Sequence, residues 1–287
     1  FCTEQTDEQK QYITCNCKKY GIFCIAAEIL IPAIVCLFFG IMSGEWLFSI
    51  FLYLPIWEIL RYPAERASVR NIRSEPLLSL DAESKIVSDV KAMMVLSVIL
   101  PSADKISEIG EKMERIYLSN ASENIGVCCL ADFKAADMPR KSEDKYILNA
   151  LNETIDDLNK KYGGGFVSAV RPRSYSETQN EFIGKERKRG AIRELIRCIK
   201  GDEKGFLSVN GDIARLKESK YLIVLDSDTR PVFDSVRNLI AVAEHPVNKP
   251  IVRNGKVVSG YGILAPKMQT SLASARTFFG NVMSGST

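Results

Sequence analysis

From about residue 91 onward the sequence predicts an α/β domain: a mostly parallel sheet with helices on both faces. Three observations carry that prediction. Apolar, strand-like runs recur at residues 94–100, 125–130, 166–170 and 221–225. Stretches with apolar residues at helical spacing lie between them. Glycines then close two of those stretches, at Gly163-Gly164-Gly165 and at Gly201.

The elements follow in chain order. After the first run, Ile106, Ile109, Met113 and Ile116 share one helical face. After the second, Ile147, Leu148, Leu151, Ile155 and Leu158 do the same. The third run leads to Ile192, Leu195, Ile196 and Ile199, a helix expected over 191–199, and the fourth run is Tyr221–Leu225. Ligands of such sheets bind beyond the carboxyl ends of the strands, so functional residues are expected just after the apolar runs.

The residues before 91 read differently. Residues 1–20 are polar and are expected to be a cytoplasmic segment, and residues 61–90 a juxtamembrane junction. Residues 21–60 are almost wholly apolar. The stretch 21–40 is long enough to cross roughly 30 Å of hydrocarbon as a helix. Glu28 and Pro32 interrupt it, which points to packing against other helices. The second run, 46–60, is marginal for a crossing and carries Trp46 and Trp57 as interfacial anchors. Lys18 and Lys19 precede the pair, Arg61, Arg66, Arg70 and Arg73 follow it, and the connection 41–45 has no basic residue. Both flanks are therefore expected on the cytoplasmic side, with the pair forming a hairpin or one span plus an interfacial helix in a lipid bilayer.

A net charge of +3 over 287 residues, with no basic stripe interleaved with aromatics, argues against a nucleic-acid partner. Cys24 and Cys36 fall in the apolar segment and Cys128 and Cys129 in a strand-like run, which favours reduced thiols over a disulfide framework. Cys15 and Cys17 lack the further ligands of a structural zinc site. The only histidine, His245, stands before Pro246 and reads as a helix terminator.

Three clusters carry chemistry. Tyr221–Leu225 runs straight into Asp226-Ser227-Asp228-Thr229. Two carboxylates at a buried strand end need compensation, which a divalent cation with a bound diphosphate supplies. Turn or capping aspartates are the alternative. Phosphohydrolases of the haloacid dehalogenase type share the Asp-x-Asp pattern but need Thr or Val where Arg230 stands. The second cluster, Glu186-Arg187-Lys188-Arg189-Gly190, sets three cations at an expected helix N-terminus, a diphosphate site in which Gly190 allows close approach. A solvated charge run is the alternative there. The third is Asp132 at the end of the second run, able to accept from a base or ribose, with Pro101 and Ser102 bordering the nucleotide after the first.

Residues 182–270 resemble the glycosyltransferase domain of cyclic β-1,2-glucan synthases. The matching stretches are Gly184-Lys-Glu-Arg-Lys-Arg-Gly190, Leu225-Asp-Ser-Asp-Thr229, His245-Pro-Val-Asn248 and Ser259-Gly-Tyr-Gly-Ile-Leu264. Weaker similarity reaches back through Ala131-Asp-Phe133 and Val98-Ile-Leu-Pro101 to Leu54-Pro-Ile-Trp-Glu58. Ala131, Ala265 and Lys267 depart from the usual Thr, Gln and Arg.

The resemblance implies a GT-A-type fold over 91–287, incomplete at its C-terminal end and preceded by an α-helical membrane segment. It implies an inverting, metal-dependent hexosyltransferase of the cell (inner) membrane, multi-pass, with its catalytic domain cytoplasmic. The donor would be UDP-glucose, the acceptor a growing glucan, the metal Mg²⁺ or Mn²⁺, and the remaining domains of a full-length synthase would be partners. Asp132 would serve the uridine, Lys188 and Arg189 the diphosphate, Asp226 the donor ribose or sugar and the metal, and Asp228 the metal. The general base is expected beyond Thr287, leaving this chain a donor-binding part, inactive alone. Another membrane polysaccharide synthase of the same fold, or a non-catalytic membrane subunit, are the alternatives.

Overall fold

The computed structural model describes residues 26–70, 77–202 and 204–266. Residues 1–25 with Cys15, Cys17 and Cys24, residues 71–76 with Arg73, and everything from Lys267 on lie outside the described residues. The chain divides into two compact units, 1–77 with 265–287, and 78–264.

In the first unit a π-helical turn, Ala26–Leu30, leads into α1 (Ile31–Ser43), and α2 (Trp46–Arg70) follows. α2 continues past the apolar run, which was expected to end at 60. Gly44 turns the chain with φ 75°, and its N–H reaches Gly40 O at 2.9 Å. Pro32, Cys36 and Gly40 recur every fourth residue and are buried. A Cβ on Gly40 would lie 2.8 Å from the Trp46 ring, so glycine lets the helices close. Ser49 on α2 donates to Cys36 O. Ile34, Phe38, Met42, Leu47, Phe51 and Leu54 remain exposed. Among the described residues no helix is long and apolar enough to cross a membrane.

The second unit is the expected α/β domain. A short helix α3 (Lys85–Ser88) precedes β1 (Ala92–Ile99), α4 (Ile106–Ser119), β2 (Ile125–Asp132), α5 (Asp144–Tyr162) and β3 (Phe166–Arg171). Then come β4 (Ser174–Ser176), β5 (Glu181–Ile183), α6 (Arg187–Ile199), β6 (Ser208–Gly211), α7 (Ile213–Glu218), β7 (Tyr221–Leu225), α8 (Ser235–Glu244), β8 (Ile251–Arg253) and β9 (Lys256–Ser259). The central sheet has the order β6-β3-β2-β1-β7. Its three pairings among β3, β2, β1 and β7 are parallel, and β6 is antiparallel to β3.

β1 and β2 are covered on both faces, which is why they read as continuous apolar runs. Met94, Leu96, Met113, Leu151, Ile155 and Ile240 form the core under α4, α5 and α8. Met93, Val95, Leu130, Val167, Leu195 and Leu216 form the core under α6 and α7. Cys36, Cys128, Cys129 and Cys198 are buried and form no disulfide, and burial pushes Cys129 up to about 12.

Strand order reverses at β1, with β2 and β3 on one side and β7 on the other. Such a switch point opens a crevice beyond the carboxyl ends of the strands. Two antiparallel bonds between Ala136 and Phe182, of 3.1 and 2.8 Å, tie the segment after β2 to the β4–β5 hairpin and so wall that crevice.

Candidate donor-binding site

A cavity of about 600 Å³ sits at this switch point. Ser97, Val98, Ile99 and Pro101 reach it from the end of β1, Asp132, Phe133 and Ala135 from β2, and Asp226 and Ser227 from β7. Lys105, Glu108, Ile109 and Lys112 line it from the start of α4, and Ile183, Gly184, Arg187 and Lys188 from the β5–α6 junction. The surface is apolar around Phe133, Ile183 and Pro101 and cationic around Lys112, Arg187 and Lys188, which suits a ligand with a flat apolar part and an anionic part.

Asp132 and Arg171 are register partners at the ends of β2 and β3. Arg171, 4% exposed in its side chain, donates from Nε to Asp132 Oδ1 at 2.8 Å and from Nη2 to Oδ2 at 2.6 Å. It also donates to Lys185 O at 2.8 Å and to Arg187 O at 2.9 Å. One guanidinium thus fixes Asp132 and the loop entering α6. A Cβ on Gly184 would come within 2.3 Å of Asp132 Oδ2, so only glycine lets that loop pass. Glu186 and Arg187 both hold positive φ, 54° and 45°, a conformation costly for side-chain-bearing residues.

α6 begins at Arg187, earlier than the 191 expected from periodicity, so Lys188, Arg189 and Gly190 lie in its first turn. Cations at the positive end of a helix raise its energy unless anions answer them. Lys188 is answered by Asp226, and Arg189, 82% exposed, faces Glu186 at 3.7 Å. Gly190 is buried, because a Cβ there would meet Lys185 O at 2.1 Å. Glu186 and Gly190 border a second cavity, not this one.

The two aspartates after β7 differ from expectation in one respect. Asp226 has a side chain 65% exposed and Asp228 is exposed as well, and β7 before them is an edge strand in which only Leu225 is buried. Their desolvation therefore does not by itself demand a cation. Among the described residues no group of three or more His, Cys, Asp or Glu could hold a metal alone. The two-carboxylate set still fits an ion such as Mg²⁺, which takes one or two carboxylates and completes its shell with water and phosphate oxygens.

The structure brings Pro101, Asp132, Lys188 and Asp226 to one cavity. Ser102, Arg189, Gly190 and Asp228 do not line it. Ser102 instead hydrogen-bonds the Asp104 carboxyl and lowers its pKa. Sequence reasoning missed Arg171, Arg173 and Lys112. Arg173 clamps Asp144 at 2.5 and 2.9 Å, donates to Lys134 O at 2.6 Å, and lies 4.8 Å over the Phe133 ring that walls the cavity. The signal available was Arg171-Pro-Arg173, two cations closing a buried strand. Asn248 has a structural part: its Nδ2 donates to Leu78 O and Val242 O, both at 2.7 Å, and its carbonyl accepts from Tyr261 N at 2.9 Å.

No protein-family model matches the chain. Over 194 residues, 65% of its length, it is 30% identical to the cyclic beta-(1,2)-glucan synthase NdvB of Rhizobium meliloti (strain 1021). The chain therefore carries a domain similar to part of a cyclic β-1,2-glucan synthase. It spans about 7% of NdvB, so the match concerns one domain of a far longer protein. That similarity supports a related glycosyltransferase domain.

Proposed function

We propose that this chain is the donor-binding part of a membrane-bound, inverting glycosyltransferase that transfers glucose from UDP-glucose to a growing β-1,2-glucan. The observation that carries the reading is the cavity at the β1/β7 switch point, where Lys188, Arg187 and Lys112 face Asp226 beside an apolar wall. Phe133, Ile183 and Pro101 would pack the uracil and exclude water, with Asp132 held at hydrogen-bonding reach by Arg171. Lys188 would exchange its contact with Asp226 for the diphosphate, freeing the carboxylate. Asp226 and Asp228 would hold Mg²⁺ or Mn²⁺, which when bound would neutralise charge on the departing diphosphate.

Inverting transfer also needs a base to take the proton of the attacking hydroxyl. Of the cavity's carboxylates, Asp132 is held by Arg171 and Asp226 would be engaged by the metal; Glu108 is the third. On the resemblance, which puts the base elsewhere in the full-length protein, the 287-residue chain would bind UDP without elongating a glucan. The exposed apolar side chains of α1 and α2 support placing the hairpin in a lipid bilayer of the inner membrane, with the α/β unit cytoplasmic.

Membranes carrying the complete protein, given labelled UDP-glucose, test the reading through methylation analysis of the product. β-1,2-linked glucose is the expected outcome. β-1,3, β-1,4 or non-glucose product would move the assignment to another polysaccharide synthase, and elongation by the 287-residue chain would show that a base lies within it. Labelling of cysteines introduced near positions 10 and 75 tests the topology: opposite accessibility would exclude the hairpin.

A further inference from the structure

The cavity holds two cations to which neither the sequence motifs nor the resemblance gives a role: Lys105, which is exposed, and Lys112. Lys112 lies three residues after Ile109 and four before Ile116, beside the buried stripe of α4, and is itself half-buried. It lines the cavity together with Lys188, Asp226 and Ser227. α4 and α6 cover opposite faces of the sheet, so Lys112 and Lys188 close on its carboxyl edge from the two sides. Helical Cα–Cβ bonds tilt toward the N-terminus, which carries the Lys112 stem back toward that edge.

The two lysines are not equivalent. Lys188 is ion-paired with Asp226. Among the described residues Lys112 has no hydrogen-bonded or ion-paired partner; the charges acting on it at longer range are Asp228, Arg230 and Arg115. Burial lowers its pKa, and the Asp228 charge opposes that shift. A half-buried ammonium without a matched acceptor costs free energy that an entering anion recovers. The carboxylate loop is also fixed relative to α4. Asn120 at the end of that helix accepts from Val236 N at 2.9 Å and donates to Val232 O at 3.4 Å, and Asp234 N donates to Ser119 O at 3.1 Å.

We propose that Lys112 is a binding residue for the diphosphate of the donor, holding it from the α4 face while Lys188 holds it from the α6 face. This rests on the nucleoside-diphosphate reading of the cavity. The test is titration of the chain and its Lys112→Gln and Lys112→Arg variants with UDP, uridine and inorganic pyrophosphate, by calorimetry and, for uridine, ligand-observed NMR. Loss of one charge-assisted contact should weaken UDP and pyrophosphate on the order of tenfold in Lys112→Gln, with uridine unchanged and Lys112→Arg close to wild type. Unchanged UDP and pyrophosphate binding, or an equal loss for uridine, overturns the proposal. So does disappearance of the effect in an Asp228→Asn background, which would mean that Lys112 acts only through that carboxylate. Wild-type chain that binds pyrophosphate but not UDP, with the Lys112→Gln loss intact, removes the nucleotide reading and keeps Lys112 as an anion contact. Binding of neither removes both.

Discussion

Asp132 and Arg171 end neighbouring parallel strands in register, and their side chains meet in a two-point ion pair of 2.8 and 2.6 Å. The pair turns a strand terminus into a fixed platform, because the same guanidinium holds the carbonyls of Lys185 and Arg187. The β2 wall of the cavity and the loop entering α6 are thereby coupled through one buried side chain.

Arg171→Met should be strongly destabilising. It leaves Asp132, 15% exposed, without its cation and two carbonyls without donors. Removing one partner of a buried pair costs about 3–5 kcal/mol, against about 1–2 kcal/mol for Asp132→Asn, whose amide oxygen still accepts. Urea unfolding of both variants checks the order. Equal, small losses would show that the pair is not a structural fulcrum.

Gly190→Ala tests the loop from the other side. The added methyl would stand 2.1 Å from Lys185 O and 3.0 Å from Arg171 Nη1, so the 184–187 segment must shift. Overpacking of this kind costs about 1–3 kcal/mol. UDP affinity, read by calorimetry, should fall by more than that of Gly255→Ala, where the space is open and only the glycine's φ of 73° opposes the methyl.

What the sequence disclosed follows from burial. β1, β2 and β3 were legible because central parallel strands, buried on both faces, read as apolar runs. β7, though at the sheet edge, was legible because Tyr221–Leu225 is apolar throughout. β6 was not: Ser208–Gly211 is short, polar and antiparallel at an edge. No strand is predicted at β8 or β9 either, although Asn254-Gly255 between valine-bearing segments is a hairpin signal. Asp132 and Asp226 were legible as charges at the ends of apolar runs, and Lys188 as a cation at the start of a helix. Arg171 needed the β2/β3 register to reveal its partner. Lys112 is one charge among Glu111, Glu114 and Arg115, and only the placement of α4 shows which of them faces the cavity.

Acid should expose the role of Glu244. Burial on its own pushes this carboxyl up, but hydrogen bonds from Lys220, Lys249 and Tyr221 outweigh it and hold the pKa down to about 2. A depressed folded value means the stabilisation is complete above the unfolded value near 4.5 and is lost as pH falls toward 2. Both lysines are about half exposed, so solvent screening limits the effect to roughly 2 kcal/mol. Chemical denaturation between pH 5 and 2 should show a steeper loss in wild type than in Glu244→Gln. Parallel curves would mean the two lysines do not hold the charge.

Asp228→Asn addresses the metal. Asp226 and Asp228 are both solvent-facing, and Asp226 already has Lys188 as a counter-charge. If that lysine were the whole compensation, neutralising Asp228 would change little. If instead the two carboxylates share a divalent ion with the donor diphosphate, the substitution removes one of its few protein ligands. Turnover of the complete enzyme should then fall by roughly 10²-fold or more, the scale of losing one electrostatic stabiliser. UDP binding to the 287-residue chain should also become insensitive to Mn²⁺ and Mg²⁺, while wild type gains affinity with either. The second measurement separates the two accounts without relying on activity. A variant that keeps metal-enhanced UDP binding would leave the aspartates as turn residues and the lysines as the only phosphate ligands.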